Sequence, residues 1–173
     1  MVETNDYEIR ALTRTDAPGW RVLRLEALTN HPENFGMSDQ EFSALDAETV
    51  AARIPAGGED VLFGVFAEGA LSGCAGFFRE IGLKARHKGV MWGVYLRPAL
   101  RGRGVGEALV DRIVEHARRH VEILKCSVHP DNRGARNLYL SRGFETYGRE
   151  PRALRTGGQD HDEELLALIF KTA

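Results

Sequence analysis

Cysteine is nearly absent from this chain: Cys74 and Cys126 are the two present in 173 residues. Two cysteines cannot build a disulfide scaffold. Each sits among apolar residues and reads as a reduced core thiol. Charge of one sign is also missing. The 23 Lys and Arg against 25 Asp and Glu leave a net charge of −2, with no excess of basic residues to mark a dedicated nucleic-acid binder. No apolar run nears the ~18 residues of a membrane span, the longest being residues 165–170. The opening residues, 1–6, carry acid and no apolar core, unlike a signal peptide. A cytoplasmic protein with neither a membrane nor a nucleic-acid partner is therefore expected. Repeats, low-complexity tracts and linkers are lacking. The histidines are scattered, without Cys/His ligand spacing, and no metal is expected. What is present is a composition, 43% hydrophobic and 28% charged, that can bury a core. The length suits a single domain over residues 1–173.

The pattern of residues predicts an α/β (α+β) chain. A first strand falls at residues 7–11. A helix follows, with Asp16 placed to cap it, Pro18 in its first turn, and Trp20, Leu23 and Ala27 on one face. Ser38-Asp39-Gln40-Glu41 has capping-box spacing, so a second helical stretch starts there, in two pieces. Residues 61–67 and 71–79 read as a hairpin around Glu68-Gly69. Residues 90–96 make a strand with Gly93 at a bulge. Val105, Leu109, Ile113 and Ala117 recur every fourth residue and define an amphipathic helix. A strand at 123–128, a helix opened by Pro130-Asp131-Asn132 and stopped by Gly143, and strands at 144–148 and 164–170 around a Gly157-Gly158 loop complete the order. The sum is a mixed sheet with helices on its faces.

The most informative segment is a strand that runs into Arg101-Gly102-Arg103-Gly104-Val105-Gly106-Glu107 and opens a helix. The first N–H groups of a helix have no partner within it and carry the positive end of its dipole. With glycines that let a ligand approach, such a turn is a cradle for a phosphate or pyrophosphate. A Walker loop would need Gly-Lys-Ser/Thr, but Glu107 follows Gly106. A dinucleotide fingerprint would need G-x-G-x-x-G, which the glycines at 102, 104 and 106 do not match. The pyrophosphate of coenzyme A remains, beside a plain tight turn.

Arg101-x-x-Gly104-x-Gly106 after a strand resembles the acyl-CoA signature of the GNAT superfamily of N-acetyltransferases. Asn132-x-x-Ala135-x-x-Leu138-Tyr139-x-x-x-Gly143-Phe144 resembles that family's next block, and the order of elements matches over nearly the whole chain. The resemblance implies a mostly antiparallel central sheet whose strands 90–96 and 123–128 splay apart to admit the thioester. It implies acetyl-CoA as co-substrate and no metal. The backbone of Val94, Tyr95 and Leu96 would then bond the pantetheine. Arg101, Gly102, Arg103, Gly104, Val105, Gly106 and Glu107 would hold the pyrophosphate, and Asn132 the pantetheine arm. Tyr139 would face the sulfur and protonate the departing thiolate after direct attack by an amine and collapse of a tetrahedral intermediate. The implied acceptor is a primary amine on a small molecule, with a peptide or protein N-acetyltransferase or a non-catalytic acyl-CoA sensor as rivals. The resemblance also allows a homodimer.

Several of these residues carry a second reading. Tyr139 suits a core aromatic, Asn132 a helix cap, and Trp92 and Phe35 either packing or the edge of an acceptor pocket. Arg133 and Arg136 form either a solvated helix face or a contact to the coenzyme's 3′-phosphate. The general base is open. Ribosomal-protein alanine acetyltransferases of the superfamily carry a glutamate where this chain has Ser127, and strand 90–96 has no carboxylate. Glu33, Glu80, His129 and Glu163 are the candidates. His129 ranks first, because an imidazole titrates near ~6.5 and this one ends a central strand.

Overall fold

The computed structural model of the chain describes residues 6–170. Its seven strands are β1 (Tyr7–Ala11), β2 (Val61–Ala67), β3 (Ala70–Arg79), β4 (Lys88–Leu96), β5 (Ile123–Val128), β6 (Glu145–Thr156) and β7 (Gln159–Ile169). They form one sheet in the order β1-β2-β3-β4-β5-β7-β6. Every pairing is antiparallel except that of β4 with β5. The helices are α1 (Ala17–Asn30), α2 (Asp39–Ser43), α3 (Ala47–Ala52), α4 (Val105–Arg118) and α5 (Arg133–Ser141). This is the mixed, mostly antiparallel sheet with helices on both faces that the sequence led us to expect.

Alternation along the strands sends side chains to two separate cores. On one face Trp20, Leu23 and Ala27 of α1, with Phe42 and Val50, pack against Leu62, Cys74 and Tyr95. On the other, Val105, Leu109, Ile113 and Ala117 of α4 are buried against Phe63, Phe77, Met91 and Leu124, and Tyr139 of α5 joins them. Full burial of such aliphatic side chains contributes roughly 1.5–3 kcal/mol each, so packing holds α4 far more than propensity does.

The helix starts follow the local chemistry, with one exception. Ser38 and Glu41 form the expected capping box on α2, and Asp46 accepts from Thr49 N–H to start α3. Asp16 precedes α1 but makes no side-chain cap to it; its carboxylate is taken by Arg10 and by Thr13 N–H. The second correction lies at the end of the chain. Gly157-Gly158 is a two-residue turn with both φ positive, closing a hairpin whose strands run far beyond 144–148 and 164–170.

The sheet opens at its centre. Cys74 pairs with Tyr95 and Gly76 with Trp92, so β4 carries one residue more than β3 across this interval. The extra residue is the bulge expected at Gly93, whose φ is +63°. On the other side, β4 and β5 pair only from Lys88↔Ile123 to Val90↔Lys125. Beyond Val90 the two strands part, leaving the backbone of β4 from the bulge to Leu96 without a β5 partner.

Candidate active site

The parting of β4 and β5 opens into a cavity of about 850 Å³. One wall belongs to the α4 and α5 side of the sheet. The first intrahelical bond of α4 is Ala108 N–H to the Gly104 carbonyl, 3.0 Å. The N–H groups of Val105, Gly106 and Glu107 therefore stand free of the helix ladder. Gly102 and Gly104 hold φ of +68° and +78°, which curl the chain into the helix start. Arg101 is held at this mouth by a 2.8 Å bond from its Nε to the Leu96 carbonyl. Gly102, Gly106 and Glu107 line the cavity beside Leu96, whereas Arg103 stands outside it and meets Asp6 at 3.6 Å. Free amides, a helix N-terminus and a guanidinium fit a pyrophosphate, and β4's unpaired backbone fits an amide-bearing arm.

Deeper in, Cys126, Asn132, Leu138 and Tyr139 line the same cavity. Asn132 caps α5, its Oδ1 accepting from Ala135 N–H at 3.3 Å. Tyr139 is 5% exposed. Burial, and to a smaller degree the neighbouring Cys126, raises its phenol well above the ordinary range, so the ring keeps its proton at neutral pH. Burial likewise pushes the Cys126 thiol up to about 12, which leaves it inert as a nucleophile. Arg136 does not line the cavity. Its Nε donates to Glu164 Oε2 at 2.7 Å, because Glu164 pairs with Val128 and so faces α5. The candidate contact between Arg136 and the coenzyme is replaced by this ion pair.

The opposite wall comes from the α1 side: Arg24, Glu33, Phe35 and Trp92, with Ser127, His129 and Glu163. Trp92 lies on Gly76, where a Cβ would stand 2.2 Å from the indole. Trp92 and Phe35 thus edge the pocket as well as pack. The β5–β7 register sets Ser127 opposite Leu165, so His129 and Glu163 continue onto the same face. His129 Nδ1 accepts from Asp131 N–H, and its Nε2 meets His161 Nδ1, both at 3.2 Å. A neutral His129 therefore carries its proton on Nε2 and donates it to His161. As folded, the ring offers an amine no free lone pair, and the first-ranked base is occupied. Glu80 lies elsewhere, tied to Lys88 and Lys125. Glu33 and Glu163 are the candidate bases that reach the cavity unoccupied by an ion pair among the described residues.

Two residues escaped the sequence reading. Glu26 binds Arg97 and accepts from Tyr95 Oη at 3.0 Å, pinning α1 to β4. Arg24 is buried at 9% exposure in the apolar stripe of α1. A charge between Leu23 and Ala27, within that stripe, was the available signal.

A sheet split between two parallel strands, with an anion cradle at the helix that follows the first, is the arrangement implied by the resemblance to a class of coenzyme-A-dependent acyltransferases. Comparison with known proteins narrows the class. Residues 22–144 match the acetyltransferase (GNAT) family. N-alpha-acetyltransferase RimI of Mycobacterium tuberculosis is 32% identical over 161 residues, covering 91% of this chain and 90% of that one. Among solved structures, the yncA protein of Salmonella typhimurium, with its cofactor acetyl-CoA, superposes at a TM-score of 0.82 with 20% identity over 98% of this chain and 96% of that one. A ribosomal-protein-alanine N-acetyltransferase from Brucella melitensis reaches 0.79 with 23% identity over 94% and 99%. This chain belongs to the GNAT family of acetyltransferases and uses acetyl-CoA.

Proposed function

We propose that this chain is a single-domain, cytoplasmic N-acetyltransferase whose acceptor is a primary amine on a small molecule. The observation that carries the proposal is the shape of the cleft. The acceptor wall is closed in by Phe35 and Trp92 around a buried cation, which suits a compact acceptor. Two free, buried cysteines are in keeping with a reducing compartment.

Bound acetyl-CoA supplies an activated thioester, and the chain supplies position and proton traffic. The amides at the start of α4 and Arg101 hold the pyrophosphate; Val94, Tyr95 and Leu96 align the pantetheine along β4; Asn132 steadies it from α5. Glu33 and Glu163 attract the ammonium of the acceptor, and Glu163 takes its proton through water. Tyr139, protonated and lining the far wall, donates to the departing sulfur. His129 orients Asp131 and His161 rather than acting as the base.

The second reading is a peptide acceptor, favoured by the N-alpha-acetyltransferase activity that the RimI relative is named for. One assay separates the two: acceptor-dependent thiol release, with the N-acetyl product identified by mass, for small amines and for peptides with free N-termini. Small amines are expected to show the higher kcat/KM. Tyr139→Phe is expected to lower turnover by ~10²-fold with coenzyme affinity within a few-fold. Turnover confined to peptides overturns the small-molecule reading, and a fully active Phe variant reassigns Tyr139 to packing.

A further inference from the structure

Arg24 is a buried charge without an ion-pair partner among the described residues. It projects from the middle of α1 into the cavity wall, and Nη1 is buried with no hydrogen-bond partner among the described residues. Beside it stand Arg53, whose charge repels it, and the Cys74 thiol. Burial pushes that thiol up to about 11, so it is neutral at pH 7. Among the described residues no carboxylate forms an ion pair with it, although Glu33 and Glu163 line the same cavity. The guanidinium lies over the rings of Phe35 and Trp92, its carbon 4.8 and 5.9 Å from their centroids. Those rings offset part of the desolvation but accept no conventional hydrogen bond. A buried guanidinium left in this state is costly, and a buried polar group without a partner calls for an explanation.

Its position supplies one. A Cβ on Gly93 would stand 3.3 Å from Arg24 Nη1. The guanidinium therefore sits at the bulge where β4 turns away from β5, on the face opposite Tyr139. An anion held there lies beside the mouth of the split. Glu33 and Glu163 bring negative charge to the same chamber, where an ammonium would settle.

We propose that Arg24 is the anion-binding residue of the acceptor site, so that the acceptor is an amine carrying a carboxylate a few bonds from its nitrogen. The planar guanidinium presents paired donors that match the two oxygens of a carboxylate. A peptide N-terminus has no carboxylate next to its amine and would leave Arg24 unsatisfied.

The inference rests on the small-molecule reading above, and the test separates the two. Acceptor-dependent thiol release is measured for the common L-amino acids and for their primary amides. The wild-type protein is expected to prefer at least one acid over its amide by ~10²-fold in kcat/KM, the scale for a hydrogen-bonded charge left without its partner. In Arg24→Met that ratio should collapse to within a few-fold, and Arg24→Lys should keep part of it. Equal rates for acids and amides in the wild-type protein overturn the proposal even if Arg24→Met does not fold. A loss in Arg24→Met that is the same for acid and amide overturns it too, since that assigns Arg24 to the reacting carbonyl or to packing. If neither set is acetylated, the small-molecule reading fails on its own. The subsite is then read by calorimetry of the same amino acids and amides on the protein saturated with coenzyme A. Acid-selective binding that Arg24→Met abolishes supports it, and its absence overturns it.

Discussion

The Asp16 carboxylate accepts two bonds from Arg10 and one from Thr13 N–H, each 2.8 Å. The Arg10 bonds above all lower its pKa from an ordinary 3.8 to about 2. Because the folded value is depressed, the stabilisation is complete above the ordinary value and is lost as pH falls towards 2. The shift corresponds to about 2 kcal/mol. Asp16→Asn is expected to lose on the order of 1–2 kcal/mol in urea unfolding at pH 7, with the gap to wild type closing by pH 2. A gap that persists there contradicts the ion-pair account. At this scale legibility was mixed. Ser38 and Glu41 carry their capping roles in four consecutive residues, so the sequence displays them. Arg24, Arg136 and His129 take their roles from partners distant along the chain, the β4 bulge, Glu164 and His161, and Asp16 takes its role from Arg10 and Thr13 on the side away from the helix it precedes. Spacing within a segment cannot reveal those partners.

At the scale of elements, the glycine turn before α4 is the proposed cradle of the coenzyme, and its glycines differ in what they require. Gly104 caps the helix at φ +78°, where a side chain is strained whatever the space around it. Gly106 has ordinary geometry, and a Cβ there would make normal contact with Leu138 at 3.6 Å. Gly106→Val is therefore the cleaner probe. It should melt within a few degrees of wild type while acetyl-CoA affinity measured by calorimetry falls about tenfold or more, some 1.4 kcal/mol. Unchanged affinity would remove the turn from the binding site. The strand–glycine–helix sequence and the four-residue period of α4 made this element plain. The β6–β7 hairpin was not. Its outer half pairs Arg155 with Asp160 and Thr156 with Gln159, charged and polar residues that give no apolar alternation. A register shift between Glu150 and Leu154 breaks the pattern further, with Arg152 at φ +54°.

Across the whole molecule, the sheet divides two cores and the β4–β5 split joins their two faces. The groups proposed to face the coenzyme stand on the α4 and α5 side; Arg24, Glu33 and Glu163 stand on the proposed acceptor side. The order of elements made the sheet legible, but the split follows from pairing that ceases after Val90, a feature of two strands at once. The central claim is that the coenzyme sulfur sits in that split, against Tyr139. A crystal structure of the complex with coenzyme A tests it most directly. The expected result is a pyrophosphate on the amides of residues 102–107, pantetheine along Val94–Leu96, and the sulfur within hydrogen-bonding reach, about 3.5 Å, of Tyr139 Oη. A coenzyme bound elsewhere, or a sulfur turned away from Tyr139, would contradict it.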